Sequence, residues 1–357
     1  VSTAIATGLG KKRTEALRQE LDAIRERVLA DLDEHDADYI RKVIRAQRAL
    51  ELTGRGLLVF GLFPPAWLGG VAALSLSKIL DNMEIGHNVM HGQYDWTRDP
   101  ELDGRSFEWD SASPGDLWRH SHNYIHHTYT NVVGKDRDVG YGVLRMSEQQ
   151  PWNIYYLGNP LYAALLAIFF QYGVALHDLE VDRIVAGEVT LGEKREQVRA
   201  IERKIRRQTL KDYVLFPLLS GPAAPLVLAG NATANLTRNL WAFTIIFCGH
   251  FPDGTVQFTE AEMADETRGG WYLRQLLGSA DLTGGKLFNV LSGHLGHQIE
   301  HHLFPDLPVS RYEEIAVEVR EICGRYGLPY NTGPLVKQFG SVVRKIAGLA
   351  LPKPSSR

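Results

Sequence analysis

Polar and apolar residues are unevenly shared along this chain. Uncharged runs occupy 56–77, 149–176 and 213–237, each close to or beyond the ~20 residues needed to span a bilayer. Around the first run the pattern predicts two helices, 45–63 and 66–91, joined at Phe63-Pro64-Pro65, where proline removes backbone donors and breaks the helix. A second helical hairpin is predicted over 212–250, with its tip at Gly221-Pro222-Ala223-Ala224-Pro225. From Ala66 to His91 and from Pro225 to His250 a helix climbs 25 residues, about 37 Å at 1.5 Å per residue, against a hydrocarbon core of ~30 Å. Both histidines are therefore expected just past the same membrane face.

The stretch 151–176 is apolar enough to cross. The segment after it, however, carries Arg183, Lys194, Arg195, Arg199, Arg203, Lys204, Arg206, Arg207 and Lys211, which the positive-inside rule assigns to the cytoplasm. It is expected to lie as an interfacial or re-entrant helix covering the catalytic part. The pattern thus predicts an all-α, multi-pass membrane protein with four spans, about 45–63, 66–91, 212–221 and 225–249, in two hairpins. Both termini are expected in the cytoplasm, with 1–44 a charged helical region, 45–335 the main domain and 336–357 a tail.

Composition narrows the function classes. With 357 residues, 23% of them charged, and a net charge of -3, no basic stripe suggests a nucleic-acid partner. Two distant cysteines, Cys248 and Cys323, cannot build a disulfide framework or a four-cysteine zinc site. No apolar run near the N-terminus resembles a signal peptide. The sequons at Asn231 and Asn235 are short enough to arise by chance.

Ten of the thirteen histidines fall in three clusters: GHNVMH (His87, His91), HSHNYIHH (His120, His122, His126, His127) and GHLGHQIEHH (His294, His297, His301, His302). Imidazole is the commonest metal ligand, and one octahedral ion takes only about six donors, so this many rings point to two metals. Residues four apart share a helix face, which pairs His87 with His91, His122 with His126 and His297 with His301. The doublets His126-His127 and His301-His302 add a donor about 100° round the helix, suited to two ions side by side. His35 lies among acidic residues and is expected at the surface, and His177 is expected to cap the interfacial segment. His250 should reach the depth of His91 and is a candidate ligand. A zinc protease pattern, H-x-x-E-H with Glu300 as base, also fits at His297–His301 but leaves two clusters idle. A soluble carboxylate-bridged bundle would need more Glu-x-x-His spacings than the single one from Glu84 to His87.

The H-x3-H at 87–91 and the H-x3-HH at 122–127 and 297–302, separated by apolar hairpins, resemble the eight-histidine signature of the membrane fatty acid desaturases. HNYIHHTYTN and HQIEHHLFPDLP look like boxes of the acyl branch. The run from NMEIGHNVMHGQYDW through DRDVGYG and FCGHFPDG to HHLFPDLP looks most like actinobacterial stearoyl-CoA 9-desaturases. The resemblance covers about residues 40–335. It implies four spans below a helical cytoplasmic cap, two iron ions (Fe2+/Fe3+) with dioxygen as co-substrate, and removal of two hydrogens from neighbouring methylenes of a long acyl chain, such as stearoyl-CoA to oleoyl-CoA. The implied ligands are His87, His91, His122, His126, His127, His297 or the adjacent Gln298, His301 and His302, with His250 as a ninth. His120 and His294 are extra to the signature.

Unactivated methylenes offer no acidic proton and no carbonyl, so a redox metal and dioxygen are needed. Asp95, Asp136, Asp138 and Glu300, close to the boxes, are candidates to orient the ligand rings by accepting their second N–H. Tyr94, Trp96, Trp118, Trp152, Tyr156 and Trp271 are candidate tunnel or interface aromatics, and Arg119 and Arg145 candidate contacts for a phosphate-bearing thioester headgroup. The chain has no dinucleotide-binding turn, no cysteine set for an iron–sulfur cluster and no fused cytochrome. A separate reductase, ferredoxin or cytochrome b5-type donor is expected, beside an acyl-CoA or acyl-lipid substrate and the bilayer. The alternatives are a hydroxylase on the same metal scaffold, a zinc-dependent membrane protease and a non-enzymatic metal-binding or transport protein.

Overall fold

The computed structural model describes residues 8–352. They form an all-α fold, apart from two three-residue parallel strands, β1 (Asp281–Thr283) and β2 (Thr332–Pro334), in register Asp281 to Thr332. Helix α1 (Lys11–Ala30) buries Leu17, Leu21, Ile24 and Val28, one face at three- and four-residue spacing. That face joins a core with Leu273 and Leu276 of α8 (Arg268–Gly278) and Ile315, Val319 and Ile322 of α10 (Tyr312–Tyr326).

Helix α2 (Glu34–Val59) starts at a capping box between Asp33 and Asp36. A turn at 60–63 leads into α3 (Pro64–Ile79), whose prolines occupy the first helical positions, where no donor is lost. The pair packs through glycine: a Cβ on Gly54 would lie 2.8 Å from Leu74 N and 3.0 Å from Gly70 O. The second hairpin runs from α6 (Arg195–Thr209), continued helically to Leu219, into α7 (Ala224–His250).

Charged side chains lock the hairpins together. Asp212 lies 2.8 Å from both Arg55 and Lys78, and Asn231 Oδ1 accepts from Arg55 at 2.9 Å. Asn235 donates to Asp212 at 3.2 Å. Arg238 donates to the Asp110 carbonyl at 3.0 Å. Arg55, Lys78, Asp212 and Arg238 are all buried. Apolar residues at the tips point outward instead: Phe60, Leu62, Phe63, Leu68, Leu218 and Leu219 are between 62% and 74% exposed.

Among the described residues no single helix is long and apolar enough to cross a membrane. Helix α3 is only 16 residues long, and Asn231, Asn235, Arg238 and Asn239 interrupt α7 and lower its hydropathy although these polar groups face the bundle interior. The stretch 151–176 contains the one pair that passes on length and composition, Ile154–Ile168 with Phe170–Asp178, bent by 99°. Its helices are α4 (Asn159–Ile168) and α5 (Phe170–Asp178). Residues 335–350, expected mostly as tail, form α11 (Leu335–Ala350), whose Val342 and Ile346 pack into the core against α7. The amphipathic spacing of α11 gives it a face to bury.

Candidate metal centre

Four pieces of chain bring the clustered histidines together. Beyond α3 the helix widens into π-helical turns over Leu80–His87, and a second π-helical stretch, Arg119–His126, carries the middle box. Such turns recur at functional sites because one extra residue per turn re-aims side chains. His250 is the last residue of α7, and His301 and His302 lie on α9 (Gln298–Leu303).

One donor atom from each of His87, His91, His122 and His301 lies within 4.8 Å of the others, and the same holds for His126, His250 and His302. His127 sits with His301 and His302, its ring stacked on that of His302 at 4.5 Å. Of the first two groups, His122 and His301 belong to one and His126 and His302 to the other, while His127 bridges to both His301 and His302 and Asp138 to both His122 and His126.

Their outer nitrogens are held from behind. His126 Nδ1 lies 3.0 Å from both oxygens of Asp136, and His122 Nδ1 lies 3.5 Å from Asp138. His87 Nδ1 faces Asn88 Oδ1 at 3.0 Å, His302 Nδ1 faces Gln275 Oε1 at 3.0 Å, and His301 Nδ1 faces the Tyr312 hydroxyl at 3.3 Å. The opposite nitrogens, Nε2 of His91, His122, His126, His127, His301 and His302, are buried with no hydrogen-bond partner. Leaving six such atoms unpaired costs about 1–3 kcal/mol each, whereas ions bound by Nε2 would satisfy them. The donor set fits a pair of imidazole-bound transition metals.

Electrostatics agree with that fit. Burial, and then the neighbouring imidazoles, hold His127, His301 and His302 well below the usual histidine range, so they are neutral and able to ligate. His126 is the exception. Burial opposes its charge, but Asp136 and Asp138 overcome that and raise it to about 9.

Several expected site residues stand elsewhere. His297 turns away from the cluster: its Nε2 faces Asn289 at 3.4 Å, and its Nδ1 lies 3.8 Å from Glu300. Gln298 takes the inner position, with Nε2 3.1 Å from His250 Nε2. Gly249 permits this approach, since a Cβ there would meet Gln298 Cδ at 2.8 Å. The chain leaves a 3-10 turn at His297 and enters α9 at Gln298, which swings the two side chains apart. His120 is exposed and stacks on Tyr124, and His294 pairs with Glu84 at 3.0 Å. Asp95 is exposed and accepts the Gly104 N–H, fixing a loop rather than a ring. Glu300 points from the ligand helix toward Tyr330 and Asp281. Beside Asp136 and Asp138, the ligand rings are faced by Gln275, Tyr312 and Asn88, and no local spacing signals the first two of these.

Residues 63–334 match the family described as Fatty acid desaturase. The chain belongs to this family. It is 48% identical over 342 residues to the NADPH-dependent stearoyl-CoA 9-desaturase of Mycobacterium tuberculosis, covering 95% of this chain and 80% of that protein. It is 26% identical over 283 residues to the sn-1 linoleoyl-lipid 6-desaturase of a Synechocystis strain, covering 76% and 77%. Similarity to the acyl-lipid (7-3)-desaturase of Rebecca salina is 26% over 296 residues, covering 81% and 64%.

In this desaturase a narrow cavity opens beside the histidines, reaching His87, His122 and His250. Apolar side chains, among them Met83, Trp109, Phe170, Val174, Ala242 and Ile246, form much of its wall. Of the aromatics expected there, Trp118 lines it and stacks on His122 at 4.4 Å. The others have different surroundings. Tyr94 is buried in a separate cluster with Ile40, Leu80 and Val89. Trp96 is exposed and donates to Gln93 O, Trp152 donates to Ala350 O, and Tyr156 packs edge-on to Tyr155. Trp271 donates to His127 O at 3.2 Å, behind the ligand cluster. Arg119 donates to Phe107 O, and Arg145 is consumed by the carbonyls of Glu148, Gln150 and Leu349. Nearness in sequence to a histidine box does not put a side chain on the cavity wall.

Proposed function

We propose that this protein is a membrane-bound acyl desaturase that converts stearoyl-CoA to oleoyl-CoA by removing two hydrogens at carbon 9, with electrons from a separate protein donor. The observation that carries the proposal is the convergence of unpaired Nε2 atoms beside an apolar cavity. The 48% identity to a stearoyl-CoA 9-desaturase supports the substrate and position, and that relative's NADPH dependence supports a reductase as the ultimate electron source.

His87, His91, His122 and His301 would hold one ion, and His126, His250 and His302 the other, with His127 between them and Gln298 beside His250. Iron bound there would supply the oxidising power that acid/base catalysis lacks against unactivated C–H bonds. The protein's own part is positional. Asp136 and Asp138 would fix the rings of His126 and His122, Trp118 would stack on His122, and the apolar wall would keep water from the reacting methylenes.

The four-span topology is part of the same proposal. The outward apolar residues at both hairpin tips suit lipid rather than water, and the polar groups that lower the helices' hydropathy are buried between them. The bend at Phe169 suits a re-entrant arrangement for 151–176.

The test is product analysis of the detergent-purified enzyme given stearoyl-CoA, NADPH and a reductase–ferredoxin pair. Oleate is expected, with about two irons per chain by elemental analysis. His301→Ala should lose oleate formation and hold less iron, since His301 is among the donors proposed for one of the two ions. A hydroxy acid as product would make the protein a hydroxylase, and an active enzyme holding one zinc would remove the oxidative proposal.

A further inference from the structure

His177 is one of three histidines outside the sequence clusters, and it lies at no surface. It is buried at the end of α5 and lines the cavity with Asp138, Tyr141 and Asp178. It is absent from every group of potential ligand atoms that the fold brings within 4.8 Å.

Its contact is with Asp138. His177 Nε2 stands 2.9 Å from Asp138 Oδ1 as a close ion pair, off the line of an ideal hydrogen bond. The other carboxylate oxygen lies 3.5 Å from His122 Nδ1 and 3.7 Å from His126 Nδ1. His122 belongs with His87 and His91, His126 belongs with His250 and His302, and Asp138 forms a further group with both, so a single carboxylate touches both halves of the centre, and His177 meets that carboxylate from the cavity side.

The imidazole is itself fixed. Arg137 donates to the His177 carbonyl at 3.1 Å, and the next residue, Asp178, accepts from the hydroxyls of Ser113 and Ser121. Tyr141 packs its ring 5.0 Å from that of His177 from a left-handed backbone position, φ 54°. Such a conformation in a non-glycine residue is costly and persists only where the surroundings impose it.

We infer that His177 is a positioning residue that holds Asp138 across the two halves of the metal centre and links that carboxylate to what occupies the cavity. The inference rests on the desaturase function proposed above. An acyl chain in the cavity would pack against the His177 ring, which lines it, and so restrict the ring and the carboxylate it contacts. The rings of His122 and His126 are then held more firmly when substrate is present than when it is absent.

Two variants of the full chain test this. His177→Phe removes the ring nitrogens, and His177→Gln leaves an amide N–H near the place of Nε2. The metal-free protein is loaded with Co2+ and its visible absorption recorded with and without stearoyl-CoA, beside kcat and KM of the iron-loaded enzyme.

His177→Phe is expected to keep both metal ions and a KM within about three-fold, while kcat falls about 10- to 100-fold and the cobalt spectrum no longer responds to stearoyl-CoA. His177→Gln should restore the spectral response and most of kcat. A His177→Phe enzyme with normal kcat and a normal spectral response would overturn the inference, as would a Gln variant no better than Phe. Should the Phe variant not fold, the Gln variant decides: a retained response supports the inference and a lost one overturns it. Failure of the proposed function shows earlier and separately, as wild-type protein that binds no metal or forms no alkene.

Discussion

Replacing Asp136 by asparagine keeps the shape of a fully buried side chain and removes its charge. Asp136 faces His126 Nδ1 with both oxygens at 3.0 Å, and also accepts the backbone N–H groups of Asn131 at 2.7 Å and Asp138 at 3.0 Å. An amide has one accepting oxygen, so its NH2 must point at a donor. Holding His126 at about 9 against an ordinary 6.5 amounts to about 3 kcal/mol in favour of a positive ring after burial has taken its share. An ion on Nε2 makes the ring positive in the same sense, and if half or more of that preference carries over, about 1.5–3 kcal/mol of metal binding is lost, roughly 10- to 100-fold. The assay is Co2+ titration of metal-free protein against a competing chelator, with circular dichroism to confirm the fold. Asp95→Asn is the control, because Asp95 serves only a loop. The reasoning is refuted if Asp136→Asn binds both ions with wild-type affinity, or if Asp95→Asn loses as much.

Metal affinity should also depend on pH. The ion must displace a proton from His126 below about 9, so Co2+ affinity should climb by up to about ten-fold per pH unit from 7 toward 9 and then level off; a flat profile refutes the assignment. The same raised value gives the metal-free fold a contribution that is full below 6.5 and lost as pH rises through 9, seen as a falling melting temperature. His297→Ala should retain both metals, whereas Gln298→Ala should weaken the ion near His250 by about ten-fold; elemental analysis giving the reverse order would mean that His297 is the inner residue. Gly54→Val forces a Cβ against the α3 backbone and should cost about 1–3 kcal/mol, read as a lower thermal midpoint in detergent.

The hairpins and the histidine boxes were legible because both are local patterns. Helix breaks at Pro64 and near Pro222, and spacings of four within 87–91 and 122–126, need only a few neighbouring residues to be read. What was not legible depends on distance. Asp138 meets His177 across 39 positions of sequence, and His302 meets Gln275 across 27, with no periodicity to announce either pair. His297 and Gln298 are adjacent, and which one turns inward depends on the helix starting between them. Of the aromatics expected at the wall, Trp118 beside the middle box lines the cavity, while Trp109 and Phe170, which also line it, are brought there by the tertiary fold rather than by nearness to a box.

The buried charges between the hairpins have a bearing on how this chain is made. Arg55 and Lys78 emerge from the ribosome with the first hairpin, and the carboxylate they share, Asp212, arrives more than a hundred residues later. In the proposed four-span topology, Arg55 has until then only Glu51 of its own helix and Lys78 only Asp110, so part of the cost of burying two cations, about 2.5–3.5 kcal/mol each on insertion scales, is not yet offset. In that topology the second hairpin would complete the charge balance of the first, joining membrane insertion to folding. A chain stalled before Asp212 would lack the carboxylate that both cations share, a mark by which quality control could tell an unfinished molecule from a finished one.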